Sequence, residues 1–275
     1  MSYFRNYWYR FGAILFIILA VILLVFRPDW SMLHYLLYFN FMALLAHQFE
    51  EYQFPGGASP IINYVVYDEE ELMDRFPGNT QSIMLVNTIA WLLYIASIAF
   101  PQAYWLGLGV MFFSLTQLLG HGFQMNIKLK TWYNPGLATT VFLLVPIACA
   151  YIYQASAEGM LTWGDWLGGF IMLIVCVLTS IIAPVQLLKD KKTNYIISPW
   201  QMDRFHKVIN FVRIKNKVTA IYDSLIFCNS FSLSYMIANT YSPIRLDCGR
   251  IKVLVSWRLL WKIIVMKMKV NSSVR

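Results

Sequence analysis

The sequence predicts an all-α protein, a polytopic transmembrane helix bundle of about six spans with both termini inside. Three observations lead there. Only 13% of the 275 residues are charged while 59% are hydrophobic, against about a quarter charged in a soluble domain. An outer surface built from this composition faces lipid. Tryptophan (10), tyrosine (17) and phenylalanine (19) are abundant, as expected where amphipathic rings sit at the two membrane–water interfaces. Six apolar runs also approach the ~20 residues that a helix needs to cross hydrocarbon.

The first run is about Trp8–Phe26. It follows Arg5 and Arg10, as the core of a signal peptide would. Phe26-Arg27-Pro28-Asp29 offers no small-residue cleavage site, so the run reads as an uncleaved anchor. The second is about Trp30–Ala46, the third about Ser82–Phe100, ended by Pro101, and the fourth about Tyr104–Leu119. The fifth, about Leu137–Tyr153, contains Pro146, tolerable where neighbours satisfy the freed carbonyl. The sixth is about Trp166–Leu188, with Pro184 near its end. With the N-terminus inside, inner segments carry Arg5, Arg10, Arg75, Lys128, Lys130, Lys189, Lys191 and Lys192, and outer loops carry only Arg27. That asymmetry sets an N-in, C-in orientation.

Charge divides the chain. Residues 1–192 hold nine Lys/Arg against eleven Asp/Glu, a net of −2, and residues 193–275 hold thirteen against three, a net of +10. We read a transmembrane domain over 1–206 and a basic tail over 207–275. Ala220–Tyr241 is a weak seventh apolar stretch, interrupted by Asp223, Asn229 and Asn239. Leu254–Lys269 reads as a basic amphipathic helix on anionic lipid, or else the tail is foreign to the fold. Cys149, Cys176, Cys228 and Cys248 show no CxxC spacing, hence neither a disulfide framework nor a zinc knuckle.

Polar side chains are costly in hydrocarbon, so each inside the apolar runs needs a reason. The second span ends in His47-Gln48-Phe49-Glu50-Glu51. His47 lies three and four residues before the two glutamates, so all three share a helix face, and Asn40 lies on the same stripe. An imidazole and two carboxylates at this spacing can bind a divalent metal or form an acid–base pair. A helix end that simply meets water has the same composition. Asn87-Thr88 open the third span, where an asparagine also serves to glue helices. The fourth carries Ser114, Gln117, His121 and Gln124, a polar stripe at helical spacing. Gly120 and Gly122 flank His121. Thr131-Trp132-Tyr133-Asn134-Pro135-Gly136 is a turn leading into the fifth span. In the six-span topology all four groups reach one membrane depth on one side, as a shared pocket between helices requires.

These residues, His47-Gln48-Phe49-Glu50-Glu51, Asn87, His121 and Tyr133-Asn134-Pro135-Gly136, resemble the HXXEE-domain family over about residues 10–206. That family comprises small, mostly bacterial integral membrane proteins. The resemblance implies a multi-pass protein of the cell membrane, the inner membrane in a bacterium, with an uncharacterised enzymatic or metal-binding role.

The leading expectation is a membrane enzyme with a His/Glu/Asn site formed by His47, Glu50, Glu51, Asn87, His121 and Asn134. A divalent metal (Zn, Fe or Mn) would be held by His47, Glu51 and His121. Two imidazoles and a carboxylate leave coordination positions open, as a catalytic site needs. The second glutamate would be the general base, and Asn87 and Asn134 would orient ligands or stabilise an oxyanion. The substrate would be a lipid or other amphiphile, cleaved by hydrolysis. A metal-free His/Glu pair, an ion or metal permease, and a non-catalytic binding or assembly protein remain as alternatives. The acidic run Asp68-Glu69-Glu70-Glu71 with Asp74 reads as solvated loop. Phe54-Pro55-Gly56-Gly57 and Phe76-Pro77-Gly78-Asn79 bracket a segment of about 20 residues that reads as re-entrant or lid-like. Walker, dinucleotide, GxSxG and HExxH motifs are absent, and nothing marks a nucleic-acid module.

Overall fold

The computed structural model describes residues 2–214, together with two short strands in the tail. By compactness the chain forms two units, Met1–Ile214 and Lys215–Arg275. The described part of the first is all-helical, with α1 (Ser2–Phe26), α2 (Met32–Tyr52), α3 (Ala58–Val66), α4 (Thr80–Ala99), α5 (Tyr104–Leu129), α6 (Leu137–Ala157), α7 (Trp163–Leu188) and α8 (Pro199–Val212). In the second unit β1 (Ile244–Cys248) and β2 (Ile251–Val255) pair antiparallel, Ile244 opposite Val255. The expected weak span over Ala220–Tyr241 lies outside the described residues, as does the expected tail helix apart from Leu254 and Val255.

Among the described residues five helices, α1, α4, α5, α6 and α7, are long and apolar enough to cross a membrane. They turn large apolar side chains outward. On α1 these are Ile14, Ile17, Ile18, Val21, Leu24 and Val25, a surface that only lipid or a partner accommodates. The helix α2 has a different character. Its second half is buried almost continuously from Leu37 to Tyr52, His47, Gln48, Glu50 and Glu51 included. It is the axis of the bundle, with Leu37, Phe41, Leu44 and Leu45 in the main core beside Tyr94, Leu108, Met111, Tyr151 and Met172.

Local chemistry sets the helix ends. Ser31 caps α2 by accepting from His34 N. Asn79 accepts from the amides of Gln81 and Ser82 while Ser82 Oγ accepts from Asn79 N, a reciprocal capping box for α4. Thr162 and Asp165 do the same for α7. Three of the helices contain a π-helical segment, over Leu118–Met125 in α5, Thr140–Leu144 in α6 and Leu178–Ile182 in α7. In α6 and α7 the widened turn ends just before Pro146 and Pro184, where a proline would otherwise strike the carbonyl one turn back. In α5 it shifts the register, so Ser114 and His121 point inward while Gln124 is exposed; the four-residue polar stripe expected there does not persist. Close approach of α5 and α7 rests on small residues: any side chain at Gly169 would meet Leu108, and any at Gly168 would meet Trp105.

The segment between α2 and α4 is packed rather than lid-like. Ile61 and Asn63 of α3 are fully buried. Asn63 ties the segment shut, donating to the carbonyls of Met73 (2.9 Å) and Gly78 (2.8 Å) and accepting from Gly78 N. Three of its acidic residues are engaged: Asp68 pairs with Lys128, Asp74 with Arg75, and Glu69 accepts from the amides of Glu71 and Leu72, while Glu70 and Glu71 are exposed. The helical unit also extends past residue 206. Phe205, Ile209 and Val212 line one face of α8, and the first two pack with Ile61, Val65, Met125 and Leu129. Beyond α8, Ile214 N donates to Lys130 O (2.8 Å), clamping the α5–α6 loop.

Candidate metal centre

His47 is in the last turns of α2, Glu51 one turn further on, His121 in the π-helical segment of α5, and Asn134 and Gly136 in the loop before α6. Each His47, Glu51 and His121 contributes one ligand atom to a cluster in which all lie within 4.8 Å of one another. Glu51 sits between the imidazoles, with Oε2 3.6 Å from His47 Nε2 and Oε1 3.4 Å from His121 Nε2. The rings stand perpendicular, centroids 4.9 Å apart. None of the three is more than 7% exposed.

Hydrogen bonds fix both rings. His47 Nδ1 faces the carbonyl of Gly136 at 3.0 Å, with Thr139 Oγ1 at 3.1 Å. A carbonyl only accepts, so Nδ1 carries the proton. His121 Nδ1 lies 2.7 Å from Asn134 Oδ1. The orientation of Asn134 follows from its other end, where Nδ2 donates to His121 O (2.7 Å) and to Asn126 Oδ1 (2.8 Å). Its oxygen is therefore the atom offered to His121, which again places the proton on Nδ1. With each ring neutral, both Nε2 atoms then turn lone pairs toward a carboxylate. Three electron-rich atoms facing one another in a buried space repel unless a metal cation, or a proton shared with the carboxylate, lies among them. A ring N–H held by an oxygen on the far side is the usual arrangement behind a histidine that ligates metal. The donor set, two imidazoles and one carboxylate, suits Zn, Fe or Mn.

Gly136 makes the approach possible. Its φ is +102°, in the region that favours glycine, and a Cβ there would come within 2.8 Å of both imidazoles.

Glu50 is built into a different task from the one expected of it. Its Oε1 accepts from Tyr133 OH (2.7 Å) and Ala138 N (3.1 Å), and its Oε2 from Thr139 N (2.7 Å) and Thr139 Oγ1 (2.5 Å). Four donors occupy its acceptor sites, which leaves a poor general base. The carboxylate lies at the start of α6 and satisfies first-turn amides that have no partner inside the helix. It fastens α2 to the loop that holds Asn134 and Gly136. Burial and the Glu50 carboxylate push the Tyr133 phenol far above its ordinary range, so it stays a donor.

Asn87 shares this end of the bundle without touching the cluster. Its side chain donates to Ile83 O (2.9 Å) and Tyr52 OH (3.3 Å), and its backbone oxygen accepts from Gln48 (3.4 Å). Gln48 in turn accepts from Trp91 Nε1 (2.6 Å). Asn87 is a helix-to-helix tie between α4 and α2. Asn40, on the His47 stripe, bonds Ser114 (2.9 Å) inside the bundle. Sequence reasoning passed over Thr139, Thr140 and Asn126. Thr140 Oγ1 is 2.7 Å from Gly136 O and Asn126 holds Asn134; a Thr-Thr pair just after a Asn-Pro-Gly turn was the available signal.

Residues 38–151, from Tyr38 in α2 to Tyr151 in α6, match the family model described as "Protein of unknown function with HXXEE motif". Over these residues, less than half of the chain, the protein is similar to that family. The match holds the whole cluster and its supports, while α1, α7 and α8 lie outside it. The motif His47-x-x-Glu50-Glu51 supplies two ligand candidates and, in Glu50, the anchor of the loop that orients both rings. No curated protein and no solved structure matches the chain.

Proposed function

We propose that this protein is a membrane-embedded, metal-dependent enzyme that hydrolyses a lipid or other amphiphile. The observation that carries this reading is the convergence of His47 Nε2, His121 Nε2 and a Glu51 oxygen within 4.8 Å, each ring with its far nitrogen already committed. A divalent ion held by these three residues supplies Lewis acidity toward a carbonyl or phosphoryl oxygen. Asn134 and the Gly136 carbonyl hold the imidazoles in their ligating tautomers. Glu50, Tyr133 and Thr139 fix the loop on which those two residues ride. The amphiphile is supported by an apolar groove of about 470 Å³ beside the same loop, lined by Trp132, Tyr133, Pro55, Val208 and Phe211.

We read α2 as the sixth span, with the cluster at the inner face of the cell membrane and both ends of the helical domain inside. The 21 residues of α2 reach about 30 Å at 1.5 Å per residue, enough to cross. The test is turnover of ester-linked lipids by the purified protein in nanodiscs. Release of fatty acid or headgroup that stops with chelator, returns with added zinc, iron or manganese, and is absent in His47→Ala supports the enzyme. Metal uptake into sealed vesicles without any lipid turnover would replace it with a permease.

A further inference from the structure

A second polar site lies at the same end of the bundle, away from the imidazoles. A cavity of about 150 Å³ opens among Arg5, Tyr52, Ser59, Thr80, Ser198 and Gln201. Among the described residues its lining includes one formal charge, Arg5, and no carboxylate. The geometry that brings Arg5 there is a break in α1 at Tyr7, whose φ and ψ are −135° and 21°. The Arg5 guanidinium lies over the Tyr195 ring at 4.5 Å. Its Nε is buried and has no hydrogen-bond partner among the described residues. The side chain as a whole is half-buried, so the guanidinium keeps one N–H turned inward without an acceptor, and an anion in the cavity would supply one.

The surrounding groups favour negative charge as well. Ser59 stands in the first turn of α3, Thr80 opens α4 and Ser198 caps α8, so three helices present their positive ends to one cavity. The first amides of α4 and α8 are engaged by Asn79 and Ser198, so those two helices act through their field. The Ser59 and Thr80 hydroxyls lack protein partners among the described residues and are available as donors. Gln201 is committed, donating to Tyr52 O (2.6 Å) and accepting from Gly57 N (2.7 Å). The space is large enough for one tetrahedral oxyanion.

We propose that this cavity binds a phosphate group, with Arg5 as its charge partner and Ser59 and Thr80 as its hydroxyl donors. Arginine suits the role because its planar fork matches phosphate oxygens. The phosphate comes from a lipid headgroup or from solution, and the experiment has an arm for each. The full chain in dodecyl maltoside is titrated with sodium phosphate against sodium chloride of equal ionic strength, and its thermal midpoint followed. In parallel, native mass spectrometry counts phosphatidic acid or diacylglycerol retained from micelles. A saturable rise with phosphate identifies the free ion; retention of phosphatidic acid without diacylglycerol identifies the headgroup. Arg5→Gln is expected to weaken whichever binding is seen at least tenfold, Arg5→Lys to recover part of it, and Arg27→Gln, at the other end of α1, to leave it unchanged. Binding in neither arm, or equal binding by Arg5→Gln, overturns the proposal. Should Arg5→Gln fail to fold, Ser59→Ala with Thr80→Val carries the same test, and unchanged affinity there overturns it equally.

Discussion

Replacing Glu50 by glutamine separates a structural carboxylate from a catalytic one. Oε1 takes the amide of Ala138 and Oε2 the amide of Thr139. A side-chain amide presents an oxygen on one side only. In either orientation its NH₂ group faces a backbone N–H that cannot turn away, whereas the hydroxyls of Tyr133 and Thr139 can rotate. One buried donor is left without an acceptor, at about 1–3 kcal/mol, and the remaining bonds lose their ionic component, each worth about 1 kcal/mol. Glu50→Gln is therefore expected to lower stability by about 3 kcal/mol in reversible unfolding from mixed detergent–SDS micelles. Metal affinity should fall with it, because the loop carrying Asn134 and Gly136 loses its anchor. An unchanged unfolding free energy together with abolished turnover would refute the reasoning and return Glu50 to the role of general base.

Asn134→Leu removes the acceptor that fixes the His121 tautomer; metal affinity by competition with a chelator is expected to drop about 10–100-fold with the ligands intact. The Tyr133 phenol, raised above its ordinary value near 10, adds stability that is fully present below about pH 10 and is lost as pH climbs toward the folded value. Unfolding free energy measured against pH should decline on the alkaline side in the native chain and less steeply in Tyr133→Phe. Truncation after Met202 removes buried Phe205, Ile209 and Val212 and is expected to cost about 5 kcal/mol or more, while a chain ending at Ile214 should insert and melt as the helical unit of the full chain does.

Much of this architecture was legible because hydrocarbon imposes coarse rules. Apolar runs gave α1, α4, α5, α6 and α7, and the shared depth of His47, Glu51, His121 and Asn134 pointed to one site, since polar groups in lipid must seek each other. What stayed hidden depends on geometry finer than the 3.6-residue period. The π-helical turn around His121 carries Gln124 off the stripe. Equivalent letters in Glu50-Glu51 separate into an anchor and a ligand candidate only when the α6 N-terminus is in place to claim one of them. Asn87 matched the family pattern and the depth, yet it bonds Tyr52 and Ile83. The charge jump after Lys192 suggested a boundary near 206, but Phe205, Ile209 and Val212, four and three residues apart, carry the packed face of α8 beyond it.

We propose that His47, Glu51 and His121 together hold one divalent ion. The most direct measurement is elemental analysis of the purified full chain beside His47→Ala and His121→Ala, each shown to be folded by its elution profile and helical circular dichroism. The account predicts close to one equivalent of zinc, iron or manganese in the native chain and less than a tenth of that in either variant. Equal metal content in all three folded proteins, or none in the native chain after reconstitution with these ions, would contradict it.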